Sequence, residues 1–117
     1  MRNVVGAAEK ITEAVMSWEG VSSGPHRFGG IEFRFGKREL GHLHGNSLLD
    51  IPFPMKLRNE LVESQRVEPH HILPKSGWVS FPIRKEEDVN EAIGLLKLSF
   101  ELARERNVGK DADVRSK

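Results

Sequence analysis

The chain has 117 residues, 38% of them hydrophobic and 30% charged, the composition of one globular domain built on a single core. Eighteen basic residues against 17 acidic ones leave a net charge of +1, so no global field draws the chain to nucleic acid or to a membrane surface. The absence of cysteine excludes disulfides, thiolate zinc sites, thiol nucleophiles and iron–sulfur clusters.

No apolar run approaches the roughly 20 residues that span a bilayer, and no signal peptide is readable, so a cytoplasmic chain is expected. Val4, Ala8, Ile11, Val15 and Trp18 recur at 4-3-4-3 spacing, which predicts a first helix with one apolar stripe. Gly20 and Ser22-Ser23-Gly24-Pro25 read as its end and a loop. From Ile31 the period becomes two: Ile31, Phe33 and Phe35 alternate with Glu32 and Arg34, a half-buried strand. Gly36-Lys37-Arg38 then turns the chain into a return strand over 39–44. On a regular strand this puts Leu40, His42 and His44 on one face, with Glu39, Gly41 and Leu43 on the other.

Residues 47–51 form a third strand, stopped by Pro52 and Pro54, and Pro54 suits the first turn of a second helix carrying Leu57, Leu61 and Val62. A short segment over 67–73 precedes a strand over 78–83, where Pro82 marks an edge or a strand end. Val89, Ala92, Ile93, Leu96, Phe100 and Ala103 define the core face of a last helix, and Glu86, Glu87 and Asp88 sit where a helix N-terminus favours negative charge. The prediction is an α+β domain over 1–108 in the order α-β-β-β-α-β-β-α, followed by a flexible tail over 109–117. Its antiparallel sheet has four to five strands and is covered on one face by helices.

The chemistry concentrates in histidine. Of five histidines, four fall in two groups, Gly41-His42-Leu43-His44-Gly45 and Pro69-His70-His71. His42 and His44 point to the same face of a strand, and imidazole is both the side chain that titrates near neutrality and the commonest metal ligand. A neighbouring strand is expected to bring Asp50 beside this row, with Trp78 as a pocket wall. The expected function is a pocket of His42, His44, His70, His71, Asp50 and Trp78 that binds a small polar or anionic ligand or responds to pH. A metal-assisted hydrolase or lyase is the alternative, with His42, His44 and His70 holding zinc, iron or manganese. Glu39 joins such a site only if a bulge turns it to the histidine face. The third reading is a protein-interaction module, and the plainest has each histidine satisfied singly by a backbone carbonyl or by Asp50.

The blocks Gly29-Gly30-Ile31-Glu32-Phe33, Glu39-Leu40-Gly41-His42-Leu43-His44-Gly45, Leu49-Asp50-Ile51-Pro52-Phe53-Pro54, Glu68-Pro69-His70-His71 and Ser76-Gly77-Trp78-Val79 occur in this order. Their combination resembles the small bacterial and archaeal proteins called luciferase domains, named for similarity to the N-terminal region of dinoflagellate luciferases. The resemblance covers the chain from about Pro25 to Ala103. In those luciferases the light-producing chemistry belongs to separate, larger barrel domains, so the resemblance implies no luciferase activity here.

Overall fold

A computed structural model describes residues 4–26 and 29–115, with side chains through Arg106. Nine elements follow one another: α1 (Ala7–Met16), β1 (Val21–Pro25), β2 (Ile31–Phe35), β3 (Arg38–His44), β4 (Leu48–Pro52), α2 (Met55–Glu63), β5 (Glu68–Pro69), β6 (Trp78–Pro82) and α3 (Glu87–Arg115). The class is α+β, and the strands form one antiparallel sheet in the order β1-β2-β3-β4-β6-β5.

The sheet has six strands, not four to five. The missed strand is β1, whose Ser-Ser-Gly-Pro run has low β propensity and no apolar alternation. Its strand form comes from pairing along β2, from Val21 opposite Phe35 to Pro25 opposite Ile31. Glycine and proline sit comfortably there because β1 is a sheet edge. Pro82 does not mark an edge: β6 lies between β4 and β5, and the proline ends it. The flexible tail expected over 109–117 falls on residues whose side chains lie outside the description, and 116–117 lie outside it altogether.

One sheet face carries the core. Phe33, Leu40, Leu43, Leu49, Ile51 and Val79 are fully buried and meet Ala7, Ile11 and Val15 of α1 and Ala92, Leu95 and Leu96 of α3. The 3.6-residue period of α1 and α3 lays one stripe of each helix against the period-2 face of the sheet. Asp88 starts α3 by accepting the backbone N–H of Arg84 at 2.8 Å and of Lys85 at 3.1 Å. Among the described residues no helix is long and apolar enough to cross a membrane.

Helix α3 crosses β3 at Gly41. A Cβ built there would stand 2.9 Å from the Asp50 carbonyl oxygen and 3.0 Å from Leu96 Cδ2, and the backbone holds φ at +156°. Only a residue without a side chain lets helix and sheet approach so closely. Gly41→Ala is expected to destabilise the protein by about 1–3 kcal/mol through overpacking, read as a lower urea midpoint at unchanged slope.

Candidate functional site

The opposite face of the sheet is polar and forms a trough. Across the strands, Glu32, His42, Asp50, Ser80 and Glu68 stand in one transverse row of paired positions. Strand alternation that buries Leu43, Leu49 and Val79 against the helices therefore turns His42, His44, Asp50 and Ser80 the other way. His70 and His71 arrive from the loop after β5 and close over this row. A cavity of about 650 Å³ results, lined among others by His26, His42, His44, Asp50, His70, His71 and Trp78. All six residues expected at the site on sequence grounds thus reach one cavity.

Asp50 is its floor, with no exposed surface. Its Oδ1 accepts the hydroxyl of Ser80 at 2.7 Å. Its Oδ2 is approached by four Nε2 atoms: His44 at 2.9 Å, His70 at 3.3 Å, His71 at 3.3 Å and His42 at 3.4 Å. Burial alone would raise its pKa. The hydrogen bonds of His42, Ser80 and His44, with the charge of His70, outweigh burial and hold the carboxyl well below its ordinary range. It is a carboxylate at every physiological pH.

Two residues absent from the expected set stand against His42. Glu39 stands in it because β3 is bulged: Phe33 pairs with Gly41 while Arg34 pairs with Glu39, so Leu40 has no partner opposite. The extra residue reverses alternation. Leu40 enters the core, correcting the regular-strand expectation that placed it beside His42, and Glu39 turns to the histidine face. There Glu39 Oε2 accepts the Nδ1–H of His42 at 2.6 Å. His26, beyond the end of β1, stacks its ring on His42 at 3.9 Å between centroids and lines the same cavity. Nothing in its sequence context singles it out, since the strand that brings it there is itself unreadable.

The hydrogen-bond partners settle which ring nitrogens carry protons. The Glu39 carboxylate fixes the His42 proton on Nδ1, so the neutral ring offers a lone pair at Nε2, toward Asp50. His70 is the reverse. Its Nδ1 accepts the backbone N–H of Ile72 at 3.1 Å and of Leu73 at 3.0 Å, so its proton lies on Nε2 and points at Asp50. Burial lowers the His70 pKa; Asp50 opposes this, and His71 and His42 reinforce it. His70 is therefore a neutral donor to Asp50, and its Nε2 has no lone pair for a metal. Expected as a ligand beside His42 and His44, it orients the carboxylate in this protonation state, while its ring also stands with Asp50 and His71 in a group that could hold an ion.

For His42, burial works against the imidazolium, but the hydrogen bonds and charges of Asp50 and Glu39 prevail and raise its pKa to about 9. Its Nε2 needs a proton or a cation between itself and Asp50. His42, His44 and Asp50 bring three donor atoms within 4.8 Å of one another, as do Asp50, His70 and His71, and also His26, Glu39 and His42. The first of these triads joins the buried Asp50 carboxylate to two imidazoles without His70; in it the Nε2–H of His44 donates to Asp50 at 2.9 Å, so this nitrogen faces an ion once its proton moves to Nδ1.

Residues 37–99, more than half of the chain, match the family model described as Luciferase domain. The chain belongs to the Luciferase domain family. The matched stretch runs from the β2–β3 turn into α3 and contains Glu39, His42, His44, Asp50, His70, His71, Trp78 and Ser80, whereas His26 and Glu32 precede it. Comparisons with curated proteins and with solved structures found no match.

Proposed function

We propose that this Luciferase domain binds one divalent cation through His42 Nε2, His44 Nε2 and Asp50 Oδ2, and that a small polar or anionic ligand occupies the position left open. One observation carries the reading. Two donors each about 2.0–2.1 Å from one tetrahedral ion stand about 3.3–3.4 Å apart. The imidazole nitrogens of His42 and His71 lie 3.4 and 3.3 Å from the Asp50 oxygen, the spacing of neighbours in one coordination shell, and that of His44 lies closer, at a hydrogen-bond distance of 2.9 Å.

Three protein ligands with an open position is the arrangement of catalytic rather than structural zinc sites. Glu39 holding the far nitrogen of His42 and Ser80 holding the far oxygen of Asp50 supply the outer contacts that orient such ligands. His71, half-exposed at the mouth, supplies a fourth donor or yields to the ligand. Imidazole and carboxylate together suit zinc, iron or manganese. Polarisation of a bound oxygen or activation of water by the ion then suits a hydrolase or a lyase. A cytoplasmic location belongs to the same proposal and rests on the cysteine-free composition.

A second reading has the His42 imidazolium recognise the ligand without a metal, and its pKa of about 9 favours it. Metal analysis of protein prepared without a histidine tag separates the two. One equivalent of metal, lost in the His42→Ala/His44→Ala double variant, is expected. His70→Asn keeps an acceptor for the two loop N–H groups and should retain the metal at an affinity lower by about 10–100-fold, the effect of an outer contact. Protein that takes up no zinc, iron or manganese on reconstitution would leave the metal-free reading alone.

A further inference from the structure

The geometry points to an amphipathic ligand for this cavity: an oxygen head that coordinates the ion and an apolar arm of several carbons lying along Ile72, Leu73 and Trp78. The inference rests on the metal reading for the head and on separate observations for the arm. Ile72 and Leu73 are 72% and 49% exposed, yet both line the same cavity as the histidines. Large aliphatic side chains in a loose solvent loop would carry no message, but this loop is pinned.

His70 Nδ1 accepts the backbone N–H of both residues. The Leu73 carbonyl accepts the backbone N–H of Ser76 at 3.1 Å and its hydroxyl at 2.8 Å, and Arg58 of α2 donates to the Pro74 carbonyl at 2.6 Å. Two apolar side chains are thus held over water beside the histidine floor. The same imidazole that positions Asp50 fixes the segment that bears them, so head site and arm site are built as one unit.

Size argues the same way. About 650 Å³ lies in the range of cavities that take organic ligands, and an ion with water or a one-carbon anion fills a small part of it. The two sides of the trough differ: Glu32, Glu39 and Arg34 make one polar, with Arg34 paired to Glu32, while Ile72, Leu73 and Trp78 make the other apolar. The arm therefore takes the side of the β5–β6 loop. The class that fits is a carboxylic acid, or an acyl compound of one, with a chain of about four to eight carbons.

Straight-chain alkyl hydroxamates from acetohydroxamate to octanohydroxamate, titrated by calorimetry into the zinc-loaded full chain, test it. Affinity should rise about two- to fourfold per methylene before reaching a plateau, the gain for removing CH₂ groups from water. In the Ile72→Ser/Leu73→Ser variant the rise should vanish, with zinc content and acetohydroxamate affinity unchanged. Equal affinity along the series, or a rise that survives the double variant, overturns the inference. Should the protein bind no zinc, the metal reading fails by itself. The same series on the metal-free chain then decides the arm: a rise abolished in the double variant upholds it, and a flat series overturns it.

Discussion

Asp50→Asn is expected to remove about 3–5 kcal/mol of folding free energy and to abolish stoichiometric metal binding, which makes it the most damaging conservative change at the site. The carboxylate is fully buried, and its charge is what the surrounding imidazoles are arranged around. An amide of the same shape that still accepts the Ser80 hydroxyl turns its NH₂ toward Nε2–H of His70, setting donor against donor, and the flipped amide gives up the Ser80 hydroxyl as a donor. The buried imidazolium of His42 then loses one of its two counter-charges and keeps only Glu39. For a chain of this length the thermal midpoint should fall by roughly 10–20 °C. Ser80→Ala is the control: it deletes one neutral hydroxyl and one hydrogen bond, costs about 1 kcal/mol, and leaves the charge in place. Calorimetric unfolding of the two variants, with metal analysis of each, checks both halves. A drop for Asp50→Asn no larger than for Ser80→Ala would mean that the carboxylate's charge does not organise the cluster.

The distance between sequence and site can be measured residue by residue. Helices α1 and α3 are written in the chain because their apolar positions repeat every three to four residues over several turns. The pairing of His42 and His44 on one strand face is equally legible, since no insertion lies between them. Glu39 is three residues from His42, and period two sends it to the wrong side. Only the extra residue at Leu40 corrects that, and a bulge leaves no reliable mark in a single sequence. His26 was hidden by the strand that carries it, whose composition is that of a loop.

His70 illustrates a different barrier. Its type and its neighbour His71 suggest a ligand, but its role depends on which nitrogen holds the proton. That is decided by two backbone N–H groups of a loop whose conformation no propensity scale contains. Residue identity announces where chemistry is concentrated; hydrogen-bond bookkeeping in three dimensions assigns the parts.

The same bookkeeping gives the metal-free protein a stability maximum near pH 6.5. His42 has its pKa raised from 6.5 to about 9, so the folded state binds its proton more tightly than the unfolded chain. The resulting stabilisation is complete below pH 6.5 and is lost as pH rises from 6.5 to about 9, a change on the order of 3 kcal/mol. His70 has the opposite sign. Its pKa is lowered by burial, so its contribution is present above pH 6.5 and is lost as pH falls below that value. Two histidines that share one carboxylate therefore bound the stability curve from opposite sides. Urea unfolding between pH 5 and pH 10, with a chelator present, should show decline on both flanks. Glu39→Gln, which removes the charge behind His42, should flatten the alkaline flank and leave the acid one. Saturating zinc should flatten the alkaline flank as well, because the ion takes the place of the His42 proton. A metal-free protein equally stable at pH 6.5 and pH 9.5 would show that His42 is not held as an imidazolium between Glu39 and Asp50.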